Sequence, residues 1–251
     1  RNILLPDHIS VSQIRTYLQC GMKYYFRYIE EIKPPLNGSM LRGLSVDKAA
    51  NGHFLIKASD KIGMKTKDFI DLAVDQHDEL ADEVQLEISK SESRDTVSRL
   101  SGLYHKTHGK NLIPKSEESI QVKLVGDMGM QVPVIGFADL ITEDDMIVDT
   151  KVRSQNRKLD LSRDIQLITY SKITNINKVA IAQVVDTKEP KSDLIVHEVN
   201  ELSINSVSQK IRSVSGAIRK RVFLPAPEGS WYCSKKWCFY WNICPYGESS
   251  K

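Results

Sequence analysis

A chain of 251 residues with 41% apolar and 27% charged side chains can enclose a full core, so neither disorder nor a disulfide-stapled miniprotein fits. No apolar run approaches the length of a membrane-crossing helix, and no secretory pattern opens the chain, which begins at Arg1 as a trimmed chain would. The balance of 35 basic against 32 acidic residues, 35 − 32 = +3, permits a polyanionic partner without requiring one, and four cysteines in so large a chain suit a reducing cytoplasm, that of the host if the protein is viral.

Ser10-Val11-Ser12-Gln13 has the form of a capping box and predicts a helix running to about Ile32, before Pro34-Pro35. Further helices are expected over Met40–Ser59, over Lys67–Ile88 on an apolar stripe of Phe69, Leu72, Ala73, Leu80 and Val84, and near Arg94–His105. After Pro114 the period changes to two. SIQVKLVG, MQVPVIGFADLIT and MIVDTKV read as three successive strands with GDMG and EDD as turns. A helix near LSRDIQLITYSKI, capped by Asp160 or Ser162, leads to the strands KVAIAQVV and DLIVHEV. A last helix, about Glu201–Phe223, buries Ile204, Val207, Ile211, Val214 and Ile218. The order predicts one α/β (α+β) domain over 1–251: a helical region to 113, a sheet core over 114–200, then a long helix and a cysteine-rich tail.

The hairpin VIGFADLITEDDMIVDTKV can be worked out in more detail. A turn centred on Asp144 pairs residues whose numbers sum to 288, so Asp139 faces Asp149 and Lys151 shares their face with Ile141 and Ile147. Ala138, Leu140, Met146 and Val148 fall on the other face. With both faces apolar, the sheet is expected to be central and covered by helices. Opposed carboxylates destabilise a pair of strands, more so when buried, unless one is protonated or a divalent cation lies between them. Two carboxylates plus water suit Mg²⁺, and Lys151 could orient or deprotonate a water. The alternative is a solvated sheet edge where Lys151 pairs with one acid.

Three of the four cysteines, Cys233, Cys238 and Cys244, stand in SWYCSKKWCFYWNIC with all three tryptophans, while Cys20 is remote. Four thiolates on one centre could hold Zn²⁺ or an iron–sulfur cluster, and the spacing does not choose. The aromatic residues Trp231, Tyr232, Trp237, Phe239, Tyr240 and Trp241 could shield such a centre, pack the tail or stack on bases. The histidines fit no ligand spacing: His53 reads as structural, and His8, His77, His105, His108 and His197 read mostly as surface residues.

G136-F-A-D139, D149-T-K151 and Q166-L-I-T-Y170 together resemble the three core motifs of the RecB-like branch of the PD-(D/E)xK nucleases, in the same strand–strand–helix order. The resemblance implies that branch's αβββαβ core, with a mixed central sheet flanked by helices. It implies Mg²⁺ or Mn²⁺ held by Asp139, Asp149 and the Thr150 carbonyl, a catalytic Lys151, and supporting roles for Gln166 and Tyr170. Where the family has G-x-x-x-H, this chain has G43-L-S-V-D47, so Asp47 stands at the position of a metal-ligating His and can replace it as a hard oxygen ligand. One early cysteine and three late ones are similar to AddB-type and CRISPR-associated relatives, which implies a structural [4Fe–4S] cluster on Cys20, Cys233, Cys238 and Cys244. The first gap is wider here, and zinc is the other metal such a site could take.

The resemblance further implies a DNA nuclease, exonucleolytic rather than site-specific, acting on single-stranded DNA or DNA ends and leaving 5′-phosphate and 3′-hydroxyl products. Arg153, Arg157 and Lys158 follow the catalytic lysine and are expected to meet DNA. The bases Arg212, Arg219, Lys220, Arg221, Lys235 and Lys236 read either as favourable charges at a helix C-terminus and in the tail or as a phosphate track. No G-x-x-x-x-G-K-[ST] loop is present, so a helicase, annealing or recombination partner would be a separate chain. A catalytically weak DNA-binding scaffold is the rival reading.

Overall fold

The computed structural model describes residues 7–156 and 158–247. In chain order the elements are β1 (Ile9–Ser10), α1 (Val11–Gln19), α2 (Gly21–Tyr24), α3 (Gly38–Asp60), α4 (Thr66–Leu80), α5 (Lys90–Tyr104), β2 (Ile120–Gly126), β3 (Val134–Ile141), β4 (Met146–Arg153), α6 (Ile165–Thr174), β5 (Lys178–Val185), β6 (Lys191–Glu198) and α7 (Glu201–Arg219). Single π-type turns follow α2 and α5, over Tyr25–Ile29 and His105–Gly109. Contacts divide the chain into two compact units, one from the described parts of 1–34, 125–136 and 204–251, the other from 35–124 and 137–203. No helix among the described residues is long and apolar enough to cross a membrane.

In the first unit, β1 pairs in parallel with the start of β3, Ile9 with Val134 and Ser10 with Ile135. The expected capping box at Ser10 forms, its hydroxyl accepting from Gln13 N–H. The helix it starts does not reach Ile32. At Cys20 the backbone turns extended, with φ −166° and ψ 118°, and the thiol caps the next helix by accepting from Lys23 N–H. The break has a packing cause. Met22 N–H is donated to the Leu224 carbonyl, and a Cβ on Gly21 would lie 2.7 Å from Leu224 backbone atoms, so only glycine fits this approach. Tyr240, 2% exposed, stacks on Phe26 and donates to the Ile32 carbonyl. The last helix stops at Arg219 rather than Phe223.

The second unit carries the sheet in the order β3-β4-β5-β6, with β2 also on β3. It is mixed: β3 and β4 are antiparallel, β4 and β5 parallel, β5 and β6 antiparallel. One face meets α3, α4 and α5 in a core of Val46, Phe54, Phe69, Leu100, Leu140, Val148 and Ala182. Helix α6 packs on β4 and β5. This is the mixed α/β core predicted for the chain. Two boundaries differ. Helix α4 ends at Leu80, and Val84 is buried from an extended backbone rather than from the stripe. Helix α6 is capped by Asp164, whose carboxylate accepts from Gln166 and Leu167 N–H, while Asp160 caps the short 3₁₀ turn before it.

The histidines also differ from expectation, because three are buried: His77, His105 and His108. Each is tolerated inside because it is hydrogen-bonded. His77 Nε2 meets Ser93 Oγ at 2.9 Å and its Nδ1 meets Asp78 Oδ1 at 2.9 Å, joining α4 to α5. His105 contacts Thr66 Oγ1 and the Met64 carbonyl, and His108 contacts Ser192 and the Gln183 carbonyl. His53 is structural, as expected. It bonds the Gly109 carbonyl and Met64 N–H, and burial pushes its imidazole down to about 4, so it stays neutral at pH 7. Gly63 passes over this ring at φ +77°, where a Cβ would come within 2.5 Å of His53 Cε1. Gly63→Ala is therefore expected to lower unfolding free energy by about 2–4 kcal/mol, from the left-handed backbone and the clash together, read by urea denaturation. A loss below about 0.5 kcal/mol would show that the ring moves aside freely.

Candidate active site

The β3–β4 hairpin closes through Thr142, whose N–H donates to the Met146 carbonyl at 3.0 Å and whose hydroxyl donates to Asp144, while Asp145 takes the left-handed turn position at φ +53°. Leu140 pairs with Val148 and Ile141 with Ile147. Those two pairs have the frame derived from the turn, and beyond them Asp139 meets the neighbouring strand through Thr150 N–H.

Here the strands carry polar groups inward. Asp139 Oδ2 accepts from Thr150 N–H at 2.7 Å. Asp149 is 3% exposed; its Oδ1 accepts from Gln166 Nε2 at 2.7 Å and its Oδ2 pairs with Lys151 Nζ at 2.7 Å. Helix α6 thus delivers Gln166 to one carboxylate. One turn on, its Tyr170 hydroxyl accepts from Phe137 N–H at 3.1 Å, tying α6 to β3. Sequence reasoning named all five of these side chains, and the fold gathers them.

Electrostatics bring in a sixth. Burial, then the charges of Asp149 and Asp47, push the Asp139 carboxyl up to about 7, against the opposing pull of Thr150 N–H and Lys151. Asp47, on α3, is itself raised, chiefly by burial and further by Asp149, with Asn51 and Lys151 pulling it down. Burial raises Tyr170 to about 12, so its hydroxyl stays protonated. Three acids therefore share one neighbourhood with a single lysine in their midst.

Among the described residues, no three His, Cys, Asp or Glu side chains form a group able to hold a metal ion. A closed cage of protein ligands does not fit this site. A hard cation that keeps most of its waters does, since Mg²⁺ needs only one or two carboxylates. The like-charged pair of half-buried Asp139 and buried Asp149 offers that donor set.

Three side chains at the site were not foreseen. Asn51 Nδ2 donates to Asp47 Oδ2, and Gln121 Nε2 donates to both Asn51 Oδ1 and Asp139 Oδ1. The Tyr104 hydroxyl contacts Thr150 Oγ1 at 2.8 Å. Only the spacing of four between Asp47 and Asn51 was visible in the sequence. Gln121 and Tyr104 come from distant elements that no local pattern aligns.

The other expected residues lie as follows. Cys20, Cys233, Cys238 and Cys244 are all in the first unit and free of disulfides, and the other three each help raise the Cys233 thiol, after burial. They face one another electrostatically without closing to metal-holding geometry. Trp231, Trp237 and Phe239 do not enclose them, being 63%, 58% and 54% exposed; of the tail aromatics only Tyr240 is buried. Arg153 ends β4 half-buried, Lys158 is exposed, and Arg157 lies outside the described residues. Arg212 Nη1 donates to the Met128 carbonyl at 3.4 Å.

No curated protein sequence matches the chain. Among solved structures, the chain is similar to a crystal structure from Eubacterium rectale described as a "putative exonuclease", with 15% identity, a TM-score of 0.61, and coverage of 98% of this chain and 88% of that one. It also aligns with SSO0001 at 12% identity and a TM-score of 0.39, over 94% of this chain and 95% of that one. The family model described as "PD-(D/E)XK nuclease superfamily" matches residues 8–245. With Asp139, Asp149 and Lys151 assembled on one hairpin and that model spanning nearly the whole length, the chain belongs to the PD-(D/E)XK nuclease superfamily.

Proposed function

We propose that the protein is a metal-dependent DNA exonuclease, acting on single-stranded DNA or DNA ends with Mg²⁺ or Mn²⁺. The observation that carries this reading is the hairpin that holds Asp139 on Thr150 N–H and Asp149 between Gln166 and Lys151, an acid cluster whose crowding with Asp47 raises the Asp139 carboxyl. A site that resists its own charge is one that a cation relieves. Asp139 and Asp149 would hold the ion directly, with the Thr150 carbonyl and Asp47 as oxygen acceptors for its retained waters. When bound, the ion supplies positive charge to the scissile phosphate and lowers the pKa of a coordinated water.

The chain's own residues do the rest. Gln166 fixes the orientation of Asp149 through its Oδ1, leaving Oδ2 directed at Lys151. Lys151 Nζ, 2.7 Å from that oxygen, orients the attacking water and balances charge growing on the phosphate. Tyr170 and Tyr104 anchor the backbone at Phe137 and the side chain of Thr150, so the hairpin does not drift as the substrate enters. The water oxygen would bond to phosphorus in line as the bond to the 3′ oxygen breaks, the water's proton passing to solvent and the departing 3′ oxygen taking a proton from solvent, which gives 5′-phosphate and 3′-hydroxyl ends. Arg153 and Lys158, with Arg157 between them, would meet the DNA backbone.

We also propose that the four cysteines hold an iron–sulfur staple, supported by four disulfide-free thiols drawn from both ends of the first unit, three of which act electrostatically on Cys233. Metal analysis of anaerobically purified protein should find about four iron atoms per chain on the Cys₄ reading, with Cys20→Ala bleaching the colour. One zinc and no iron would replace the cluster with the other thiolate metal, and neither metal would remove the staple altogether.

Lys151→Ala should lower DNA cleavage in Mn²⁺ by at least about 10²-fold while leaving DNA binding within a few-fold. Cleavage that persists at the wild-type rate would mean that the chemistry lies elsewhere. The raised Asp139 carboxyl makes a second prediction, with a definite sign. Its stabilising contribution is complete below about pH 4 and is lost as pH rises through 7, because ionisation is resisted in the folded state. In EDTA, Asp139→Asn should therefore be more stable than wild type at pH 8, by on the order of 2–4 kcal/mol relative to their difference at pH 4. A stability difference that is flat across that window in denaturant titrations would contradict a strained carboxylate.

A further inference from the structure

We infer that Asn51 and Gln121 are positioning residues that fix the separation of Asp47 and Asp139, and with it the affinity of the site for a divalent cation. This rests on the metal-dependent reading above.

The side chains form an unbroken bridge between the two acids. Asn51 lies one turn after Asp47 on α3 and donates Nδ2 to Asp47 Oδ2 at 3.1 Å. Its Oδ1 accepts from Gln121 Nε2 at 3.1 Å, and the same Gln121 nitrogen donates to Asp139 Oδ1 at 3.3 Å. Both amide hydrogens of Gln121 are thereby used. Three elements, α3, β2 and β3, are tied together at the carboxylates and at no cost in charge. A lysine or arginine in this place would also hold the acids, but would compete with a cation for them. Neutral amide donors hold a carboxylate by one lone pair and leave the others free for a metal.

The backbone supplies independent support. Gln121 takes φ +51°. The other described non-glycine residues with positive φ, Glu31, Lys61, Asp145, Asn175 and Arg221, stand in turns or after helix ends. Gln121 alone among them lies inside a β-strand. That conformation is unfavourable for any residue with a Cβ, and such strain persists where surrounding structure enforces it, often at functional sites. Here the strained residue is the one whose side chain reaches the acids.

The test uses the full chain stripped with EDTA, comparing wild type, Gln121→Gly, Asn51→Ala and the double variant by Mn²⁺ calorimetry and by unfolding midpoint without metal. Glycine suits the left-handed backbone, so Gln121→Gly should keep or raise the unfolding midpoint while weakening Mn²⁺ binding by about 10-fold or more, the usual scale for outer-shell partners of a metal ligand. Asn51→Ala should weaken it similarly. The double variant should be no worse than the poorer single, because the two amides act as one bridge. Near-wild-type Mn²⁺ affinity in Gln121→Gly overturns the inference, as does an affinity loss that merely follows a fall in the midpoint. Wild-type protein that neither binds Mn²⁺ nor cleaves DNA overturns the nuclease reading itself, and this inference with it.

Discussion

Two carboxylates meet across one turn of antiparallel strand, and everything around them deals with their repulsion. Asp149 is neutralised in part by Lys151 and held by Gln166. Asp139 accepts from Thr150 N–H and the Gln121 amide, and its carboxyl stays raised despite the pull of Lys151. The asymmetry matters chemically. One acid is held in place by Gln166 and Lys151, while burial and its acidic neighbours raise the other to about 7.

The fold is arranged to keep that pair together. Strand β4 is flanked by β3 and β5 and carries Ile147, Val148 and Asp149 at the centre of the sheet. Helix α6 lies on the same strands and delivers Gln166 and Tyr170 from one face. Helix α3 brings Asp47 and Asn51 from the other side of the chain, fastened below by Lys57, whose ammonium caps the carbonyls of Gly109 and Lys110 at 2.8 and 2.7 Å. A buried lysine in that place is a structural rivet, stabilised by the carbonyls it satisfies.

What the sequence made legible follows from how local each constraint is. A tight turn fixes the register of its own strands, so Asp139, Asp149 and Lys151 could be assigned to one face by arithmetic. Helical spacing placed Gln166 with Tyr170. Gln121 was invisible because its role depends on how β2 lies against β3 and how α3 is rotated above them, neither of which leaves a periodic trace. The break at Cys20 was hidden for a similar reason: it answers to Leu224, some two hundred residues away in the chain, through a close approach at Gly21. The buried histidines misled because a polar residue can be interior whenever partners arrive from other elements, and Ser93, Thr66 and Ser192 do so.

One of those histidines teaches something wider. Ser93, His77 and Asp78 stand in a hydroxyl–imidazole–carboxylate relay, with contacts of 2.9 Å at each step, resembling the nucleophilic machinery of ester and peptide hydrolases. Yet Ser93 and His77 have no exposed surface, and Arg94 clamps the far side of Asp78. No scissile bond can reach the hydroxyl. The relay serves as mortar between two helices, so that distance-based templates alone would mistake a joint for a reactor, and accessibility is what separates them.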